Sequence, residues 1–297
     1  MLQAGLRRLA HAGIFAAVRV IDVHHLGRER VIGTWEHEGV LVDPGPESTI
    51  ATLLEGLGDG FEPRAILLTH IHFDHAGASG RLVERFPDVP VYVHEIGLPH
   101  MADPRRLVKS ATRLYGEEGM RELWGEVVAV PEDNLNVLRG GETILGDYRV
   151  EYTPGHASHH VSYLHEPTGT ALVGDVAGVR IPPSELVLAP TPPPDIDVEA
   201  WYRSVDLVEG WQPERLALTH FGDVTEDIPG HLQRLRDSLE EEAAVVGTTT
   251  EEEFVRRHVA MLEERHDAET ARVYAQALPP HHIWLGLDRW RSKQEAP

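Results

Sequence analysis

The amino-acid sequence predicts a layered α/β protein with a helical C-terminal extension. Three observations lead to this prediction. The chain has 297 residues, of which 41% are hydrophobic, and this is enough for a sizeable buried core. Short buried-strand runs such as residues 65–68 alternate with stretches of helical spacing, which is typical of α/β folds. From residue 229 to residue 278 nearly every position fits a helical pattern.

The first hundred residues are predicted to alternate between strand and helix. A strand that ends at residue 42 is followed by Asp43-Pro44-Gly45-Pro46, and proline and glycine break regular structure. Ser48 and Thr49 are candidate N-caps for a helix through about residue 57, and a second helix is predicted over 77–86. Runs rich in β-branched and apolar residues predict strands at residues 18–21, 31–35, 39–42, 65–68 and 90–94.

The sequence changes character twice before residue 228. Residues 97–126 are predicted to form a helical insertion, which either packs on the sheet or walls a substrate pocket. The proline-rich residues 181–197 predict a structured loop, followed by a helix over 198–210. Further strands are predicted at residues 127–130, 142–145, 148–152, 161–165, 171–173 and 216–219. We therefore expect a catalytic domain over residues 1–228 and a helical extension over 229–297 packed on it.

The composition limits the classes of partner and chemistry. A formal net charge of −21 at pH 7 disfavours nucleic acids and anionic membranes, which attract clustered lysine and arginine. The acidic runs at residues 240–242 and 251–253 are interpreted as solvated helix surface. The chain has no cysteine, which excludes disulfides and thiolate metal ligands. The apolar run at residues 12–18 is too short to span a membrane and no cleavage site follows it, so a cytoplasmic location is expected.

The strongest chemical signal is the segment His70-Ile71-His72-Phe73-Asp74-His75, which follows the strand predicted at residues 65–68. Alternate residues of an extended segment point the same way, so His70 and His72 can converge on one metal ion. Where the chain turns into a helix, Asp74 and His75 can face a second ion beside the first. Imidazole nitrogens and carboxylate oxygens are ligands that Zn²⁺, Fe²⁺ and Mn²⁺ accept when no thiolate is available.

Three later residues of the same chemical types each follow a predicted strand. His156 ends the segment Thr153-Pro154-Gly155-His156, Asp175 follows the strand at 171–173, and His220 follows the strand at 216–219. Open α/β folds carry their functional loops at such strand ends. The other histidines, among them His25 and His94, are expected not to bind metal.

This pattern resembles the metallo-β-lactamase superfamily, in particular its glyoxalase II-like and lactonase-like branch. The resemblance covers about residues 18–222, and it rests on the His-x-His-x-Asp-His motif followed in order by His156, Asp175 and His220. It implies a four-layer αββα sandwich with the metals at one edge of the two sheets. The turn Val42-Asp43-Pro44-Gly45 is similar to an aspartate-containing turn of the family, which implies a supporting role for Asp43.

The resemblance also implies how two divalent ions are shared among the ligands. A hydroxide held between two ions about 3.5–4 Å apart would attack the substrate. Zn²⁺ is the expected metal, with Fe or Mn²⁺ as alternatives. Asp74 and Asp175 are the residues expected to act in catalysis, and His160 is a candidate for a hydrogen bond that supports the site. One ion would be held by His70, His72 and His156, the other by Asp74, His75 and His220, and Asp175 would bridge both.

The expected substrate is a small ester, thioester or lactone. Asp175 stands where many true β-lactamases carry a cysteine ligand, which makes antibiotic hydrolysis a poor first hypothesis. Tyr163 and Tyr202 are candidates for orienting a substrate carbonyl, with simple packing as the alternative. Arg291 and Lys293 match no pattern for binding a glutathione thioester.

Two other functions stay open. A phosphodiesterase or nuclease would share the first motif, although the net charge of −21 and the presence of only two lysines argue against nucleic acid. A non-catalytic metal-binding scaffold is the second alternative, and the complete set of seven ligands argues against it. Apolar stripes on the C-terminal helices are compatible with a homodimer.

Overall fold

The computed structural model describes residues 18–295, so most of the apolar run at residues 12–18 lies outside the described range. Twelve strands form two six-stranded mixed sheets within this range. The first sheet contains, in spatial order, β1 (Arg19–Asp22), β2 (Gly33–His37), β3 (Val40–Val42), β4 (Ala65–Leu67), β5 (Val91–His94) and β6 (Leu135–Leu138). The second contains β7 (Thr143–Ile144), β8 (Tyr148–Tyr152), β9 (Val161–His165), β10 (Thr170–Gly174), β11 (Arg215–Leu218) and β12 (Gly222–Val224), with β12 and β7 at its edges.

Each sheet contains a parallel portion whose strands end at the same side. In the first sheet β3, β4, β5 and β6 run parallel, while β1 and β2 are antiparallel to their neighbours. In the second sheet only β10 and β11 are parallel. The loops at the carboxyl ends of β3, β4, β10 and β11 therefore become available to one functional site.

The two sheets pack face to face, and helices cover their outer faces. Val40, Val42 and Leu67 contribute to a core between the sheets, together with Tyr163 of the second sheet. The intervening Leu41 belongs to the larger cluster that includes the helices, as expected when successive side chains of a strand point to opposite faces. The α/β sandwich with a helical C-terminal region, expected from the sequence, is confirmed.

Ten α-helices are described in residues 18–295. Many of their boundaries follow from local chemistry: Asp197, Thr250 and Asp267 each accept a hydrogen bond from a backbone N–H in the first turn of the helix they precede. The helices are α1 (Ile50–Leu57), α2 (Phe73–Ala76), α3 (Ser79–Arg85), α4 (Leu98–Ala102), α5 (Arg105–Gly119), α6 (Val198–Gly210), α7 (Ile228–Val246), α8 (Glu251–Arg265), α9 (Ala268–Ala277) and α10 (Pro280–Gln294).

The strand predicted at residues 127–130 is wrong, although the insertion at 97–126 is helical as predicted. Val130 donates its backbone N–H to Met101 O (2.9 Å) rather than to a strand. The Val128 carbonyl lies so close to Gly80 on α3 that a β-carbon there would be 2.2 Å from the oxygen. This extended segment therefore packs between helices, and the edge strand β6 forms instead five residues later. The short strand β12 was not predicted.

The C-terminal helices share the larger hydrophobic cluster with the body of the protein. Leu232 and Leu235 on α7 and Ile283 and Leu287 on α10 are fully buried in it. On α10, Gly286 allows a close approach to the proline-rich loop, because a β-carbon there would lie 1.8 Å from the Thr191 carbonyl oxygen. Among the described helices, none combines the length and apolar character needed to cross a bilayer.

Candidate metal centre

Seven histidine and aspartate side chains meet where strands of the two sheets end, and Asp43 lies behind them. Asp43 follows β3, and the segment from His70 to His75 follows β4 and enters α2. Asp175 follows β10 and His220 follows β11, the parallel pair of the second sheet. His156 lies in the loop between β8 and β9. The sequence-predicted site residues are thus brought to a common edge by strand order rather than by proximity in sequence.

Three imidazoles form the first group of potential ligands. The ligand atoms of His70, His72 and His156 lie within 4.8 Å of one another. His72 Nδ1 is 3.0 Å from His70 Nε2 and 2.9 Å from His156 Nε2. Two ligands of a tetrahedral zinc ion with bonds of about 2.0–2.1 Å would be about 3.3 Å apart, so the three nitrogens need only a small adjustment to share one ion.

A carboxylate and two imidazoles form the second group. The ligand atoms of Asp74, His75 and His220 also lie within 4.8 Å of one another. Asp74 Oδ2 is 3.5 Å from His220 Nε2 and 3.9 Å from His75 Nε2. The Asp74 side chain is 23% exposed, whereas both histidines are fully buried, so this group opens to solvent at its carboxylate.

Asp175 lies between the two groups and directs one carboxylate oxygen toward each. Its Oδ2 is 3.3 Å from His156 Nε2 in the first group. Its Oδ1 is 3.3 Å from His75 Nε2 and 3.6 Å from His220 Nε2 in the second. A carboxylate in this position can contribute one oxygen to each of two neighbouring cations.

Acceptors on the far side of four imidazoles fix the nitrogen that each presents to the cluster. His156 Nδ1 is 2.7 Å from the Pro190 carbonyl oxygen, and His220 Nδ1 is 2.6 Å from that of Val31. A carbonyl only accepts hydrogen bonds, so these Nδ1 atoms carry the protons and leave the Nε2 lone pairs facing inward. His70 Nδ1 and His75 Nδ1 are held in the same way, by Thr69 Oγ1 (3.0 Å) and Asp43 Oδ2 (2.8 Å).

Asp43 supports the cluster from behind. It is fully buried, adopts a left-handed backbone conformation (φ 51°), and accepts hydrogen bonds from the Thr69 backbone N–H (2.8 Å) and hydroxyl (2.6 Å). It also accepts the Nδ1 proton of His75. Asp43, His70 and His75 could geometrically form a third metal-binding group. We favour the supporting position, because both Asp43 oxygens already accept hydrogen bonds from protein donors.

His160 accepts a hydrogen bond from the backbone of Asp175, and its ring stacks on that of His70 (centroids 5.1 Å apart). Its Nδ1 lies 2.9 Å from Thr153 Oγ1, and its Nε2 lies 3.3 Å from the Asp175 backbone nitrogen, which donates to it. Gly174 makes this approach possible, because a β-carbon there would lie 2.8 Å from His160 Nε2 and 2.4 Å from Thr69 Oγ1. The residue before Asp175 must therefore be glycine for the loop to reach its position.

The charge states differ between the two groups. Burial lowers the pKa of His70 and His156, and burial together with His156 lowers the pKa of His72 to about 3, so these imidazoles are neutral at pH 7. Burial also opposes a charge on His75, but the carboxylates of Asp175, Asp43 and Asp74 raise its pKa well above the ordinary value. Metal binding requires deprotonated ligands, so the first group is ready for a cation while the second must release protons.

The imidazole nitrogens and carboxylate oxygens of the cluster are suited to bind divalent cations. Lone pairs of several imidazoles point at one another, an arrangement that is repulsive unless a cation or a proton lies between them. His75 Nε2 and Asp175 Oδ1 are buried and have no hydrogen-bond partner among residues 18–295. Buried polar atoms are normally paired, so unpaired atoms that face one another indicate a position for an ion.

Sequence reasoning missed an aromatic wall beside Asp74, formed by His25, Tyr115, Trp124 and His282. The Trp124 ring stacks on His25 (centroids 5.5 Å apart), and Tyr115 packs edge-on against Trp124 (5.5 Å) and His282 (5.4 Å). Burial and then the Asp74 carboxylate raise the pKa of Tyr115, and Trp124 lies against Phe73, the residue before Asp74 (centroids 6.3 Å apart). These residues come from three distant segments, and only the expected pocket-walling role of residues 97–126 hinted at them.

The two tyrosines proposed from the sequence to orient a carbonyl do not reach the cluster. Tyr163 is buried between the sheets and donates its hydroxyl to the Leu68 carbonyl oxygen (2.7 Å). Tyr202 lies on α6 and packs on the helical side of the core, where burial and then the charge of Glu240 raise its pKa. Packing is therefore the role of both.

The sequence is similar to those of known metallo-hydrolases. The family model described as the metallo-beta-lactamase superfamily matches residues 36–220. "Probable metallo-hydrolase YflN" of Bacillus subtilis (strain 168) is 31% identical over 211 residues, which are 62% of this chain and 75% of that protein. A hydroxyacylglutathione hydrolase of Yersinia pestis (strain Pestoides F) is 31% identical over 129 residues, which span 43% of this chain and only 39% of the relative.

Solved structures give a consistent result for the fold. An archaeal metallo-beta-lactamase superfamily protein, ST1585 from Sulfolobus tokodaii, aligns with a TM-score of 0.67 at 21% identity, covering 93% of this chain and 98% of that one. TTHA1623, solved in a di-iron-bound form, aligns with a TM-score of 0.51 at 29% identity, covering 65% of this chain and 89% of that one.

Proposed function

The chain belongs to the metallo-beta-lactamase superfamily of metal-dependent hydrolases, and we propose that it uses two divalent ions to hydrolyse a small carbonyl substrate. The proposed substrate is an ester, a thioester or a lactone. One observation carries the dinuclear part: Asp175 directs its two oxygens at His75 and His156, each at 3.3 Å. A buried carboxylate between two sets of ligands is what a pair of neighbouring cations requires.

In this proposal the two groups hold one ion each, and Asp175 is shared. His70, His72 and His156 hold the first ion, and Asp74, His75 and His220 hold the second. The bound ions would lower the pKa of water towards neutrality and polarise the bond under attack. Zn²⁺ is the proposed metal, since it accepts these nitrogen and oxygen ligands. The di-iron form of TTHA1623, at 29% identity, supports iron as the first alternative, and Mn²⁺ is the second.

The chain's own carboxylates have separate tasks. Burial opposes ionisation of Asp74, but His75 and a hydrogen bond from His220 hold its pKa below the ordinary value, so it is ionised at neutral pH. Because its side chain is 23% exposed, Asp74 is accessible from solvent and is proposed to accept a proton at a carboxylate oxygen. Asp175 and Asp43 are more deeply buried and are proposed to hold and orient ligands.

The aromatic wall supports a small substrate with an apolar part. Tyr115 and Trp124 offer ring surfaces beside Asp74, and the buried Trp124 Nε1 and His282 Nε2 have no hydrogen-bond partner among residues 18–295. Donors next to apolar surface suit a carbonyl compound with an acyl or aryl group. A nucleic-acid chain, by contrast, would meet a protein of net charge −21.

The experiment is a substrate panel on the metal-loaded full-length protein. We expect turnover of at least one simple ester, thioester or lactone, and loss of that turnover when a chelator removes the metal. Turnover of a phosphodiester alone would replace the carbonyl proposal with a phosphodiesterase of the same fold. The absence of turnover in a protein loaded with Zn²⁺, Fe²⁺ or Mn²⁺ would favour a metal-binding scaffold.

A further inference from the structure

A cavity lies on the helical side of the molecule, between α7, α8 and the segment 184–188. Its volume is about 610 Å³, within the range of small-molecule sites. It shares no lining residue with the metal cluster. Its apolar wall is formed by Leu186, Val187, Leu188, Val245, Phe254 and Met261.

Two polar side chains face this cavity without partners. Glu242 on α7 is 8% exposed, and neither of its carboxylate oxygens has a hydrogen-bond partner among residues 18–295. His258 on α8 is 7% exposed, and its Nε2 is likewise unpaired within the described range. His258 Nδ1 lies 4.0 Å from Glu242 Oε1, too far for a hydrogen bond between them.

The unpaired carboxyl of Glu242 destabilises the folded protein. A buried polar atom without a hydrogen-bond partner has lost its hydration without compensation, which lowers the stability of the folded state. Burial and the neighbouring charge of Glu241 raise the pKa of Glu242, and burial lowers the pKa of His258 to about 4. Burial therefore disfavours the charged form of both groups, and neither neutralises the other.

The charges around the cavity favour a cation over an anion. Four carboxyl groups line it against three guanidinium groups, and two of those three are already engaged with acidic partners. Arg234 pairs with Asp227 at 3.3 Å and with Glu185 of the cavity lining at 3.7 Å, and Arg257 pairs with Glu253. The remaining guanidinium, Arg265, lies at the C-terminal end of α8. Glu241 and Glu242 form no ion pair with an arginine or lysine among residues 18–295, so a positively charged ligand could pair with them.

We propose that this cavity binds a small organic cation, a primary ammonium or guanidinium on a short apolar chain. The cationic head pairs with the Glu242 carboxylate and can donate to both of its oxygens. The apolar chain packs against the wall that includes Phe254 and Met261. The site is independent of the metal centre and of the hydrolase proposal.

The test uses three matched probes on the metal-loaded full-length protein: hexylammonium, hexanol and hexanoate. Calorimetric titration at pH 7.5 measures each affinity. We expect hexylammonium to bind at least about tenfold more tightly than hexanol, because the buried charge pair adds to the same apolar contact, and hexanoate to bind weakest. Equal affinity for hexylammonium and hexanol, or tighter binding of hexanoate, would overturn the proposal.

Variants locate the binding. Glu242→Gln should weaken hexylammonium binding at least about tenfold, whereas Glu240→Gln, on the same helix but outside the cavity lining, should leave it unchanged. Met261→Trp, which fills the cavity, should abolish binding, and it decides the question if the Glu242 variant does not fold. Unchanged hexylammonium affinity in both Glu242→Gln and Met261→Trp would show that the cation binds elsewhere, including at the metal centre.

Discussion

Two regions of the molecule bury polar atoms that have no hydrogen-bond partner among residues 18–295, and they differ in the charges around those atoms. In the cluster at the strand ends, the unpaired Asp175 Oδ1 and His75 Nε2 face each other at 3.3 Å. In the cavity beside α7, the unpaired Glu242 and His258 are 4.0 Å apart at their closest. The first pair is surrounded by further potential metal ligands, whereas the second lines a cavity with an apolar wall and other charged side chains.

The two regions differ more in the charge states of their residues than in the distances between the unpaired atoms. At the strand ends, burial opposes ionisation of Asp175, but the neighbouring histidines hold its pKa well below the ordinary value, and the carboxylates raise the pKa of His75. In the cavity the shifts are reversed: the pKa of Glu242 is raised and that of His258 is lowered to about 4. One region therefore keeps opposite charges buried, as a metal site does, while the other suppresses them until a charged ligand arrives.

The largest effect is expected from a substitution at the centre of the strand-end cluster. Asp175→Ala removes the carboxylate that faces both ligand groups, so we expect loss of at least one metal ion per chain. Activity on the best substrate of the panel should fall by roughly 10³-fold, comparable with the loss of an electrostatic catalytic group. Metal analysis and kcat/KM measure the two effects separately.

Asp223→Asn, an exposed aspartate in β12, is the matched control for Asp175→Ala and should retain both metals. If Asp175→Ala also retained two tightly bound metals, the shared-ligand assignment would be wrong, whatever happened to the activity.

A smaller effect is expected from a substitution of Asp43, which lies behind the strand-end cluster. Asp43→Asn weakens the acceptor that holds His75 Nδ1 (2.8 Å) and the Thr69 hydroxyl (2.6 Å). Loss of such a supporting partner typically lowers metal affinity or activity by about 10–100-fold. Competition with a chelator measures the affinity, and Asp88→Asn on the surface serves as the control. Complete loss of both metals would instead make Asp43 a direct ligand.

The smallest effect is expected from a substitution of Glu242 in the cavity beside α7, and it concerns the stability of the protein. A carboxyl whose pKa is raised on folding lowers the unfolding free energy as pH rises above the ordinary glutamate pKa of about 4.3, because the unfolded state then ionises more readily. Glu242→Met should therefore stabilise the protein by about 1 kcal/mol at pH 7.5. The gain should shrink as the pH falls toward that value.

Chemical denaturation at pH 7.5 and pH 5 measures this gain, with Glu240→Gln as the reference. A Glu242→Met variant that is less stable than the wild type at pH 7.5 would show that the carboxyl is satisfied in the native protein. A gain of equal size at both pH values would attribute the effect to packing rather than to charge.

The sequence predicted the strand-end cluster better than the aromatic wall beside it. His70, His156 and His220 could be found because each polar residue follows a buried strand, and strand ends of an α/β fold converge. The wall of Tyr115 and His282 could not, because its members come from distant segments that only tertiary packing brings together. The strand predicted at 127–130 failed for the same reason, since its apolar run packs on helices.

Glu242 shows a different limit of sequence reasoning. The acidic run at residues 240–242 was interpreted as solvated surface, which is right for Glu240 and Glu241 but wrong for Glu242. Successive residues of a helix point in directions about 100° apart, so a run of identical charges includes positions that face inward. Which one is buried depends on how α7 meets α8, and the run itself does not contain that information.

The most direct test of the central claim is metal content per chain, measured by mass spectrometry on wild-type protein purified without chelator and then equilibrated with Zn²⁺, Mn²⁺ or Fe²⁺. The two ligand groups joined by Asp175 predict two ions per chain for at least one of these metals. A limit of one ion, or none, at saturating concentrations of every metal would contradict the dinuclear centre.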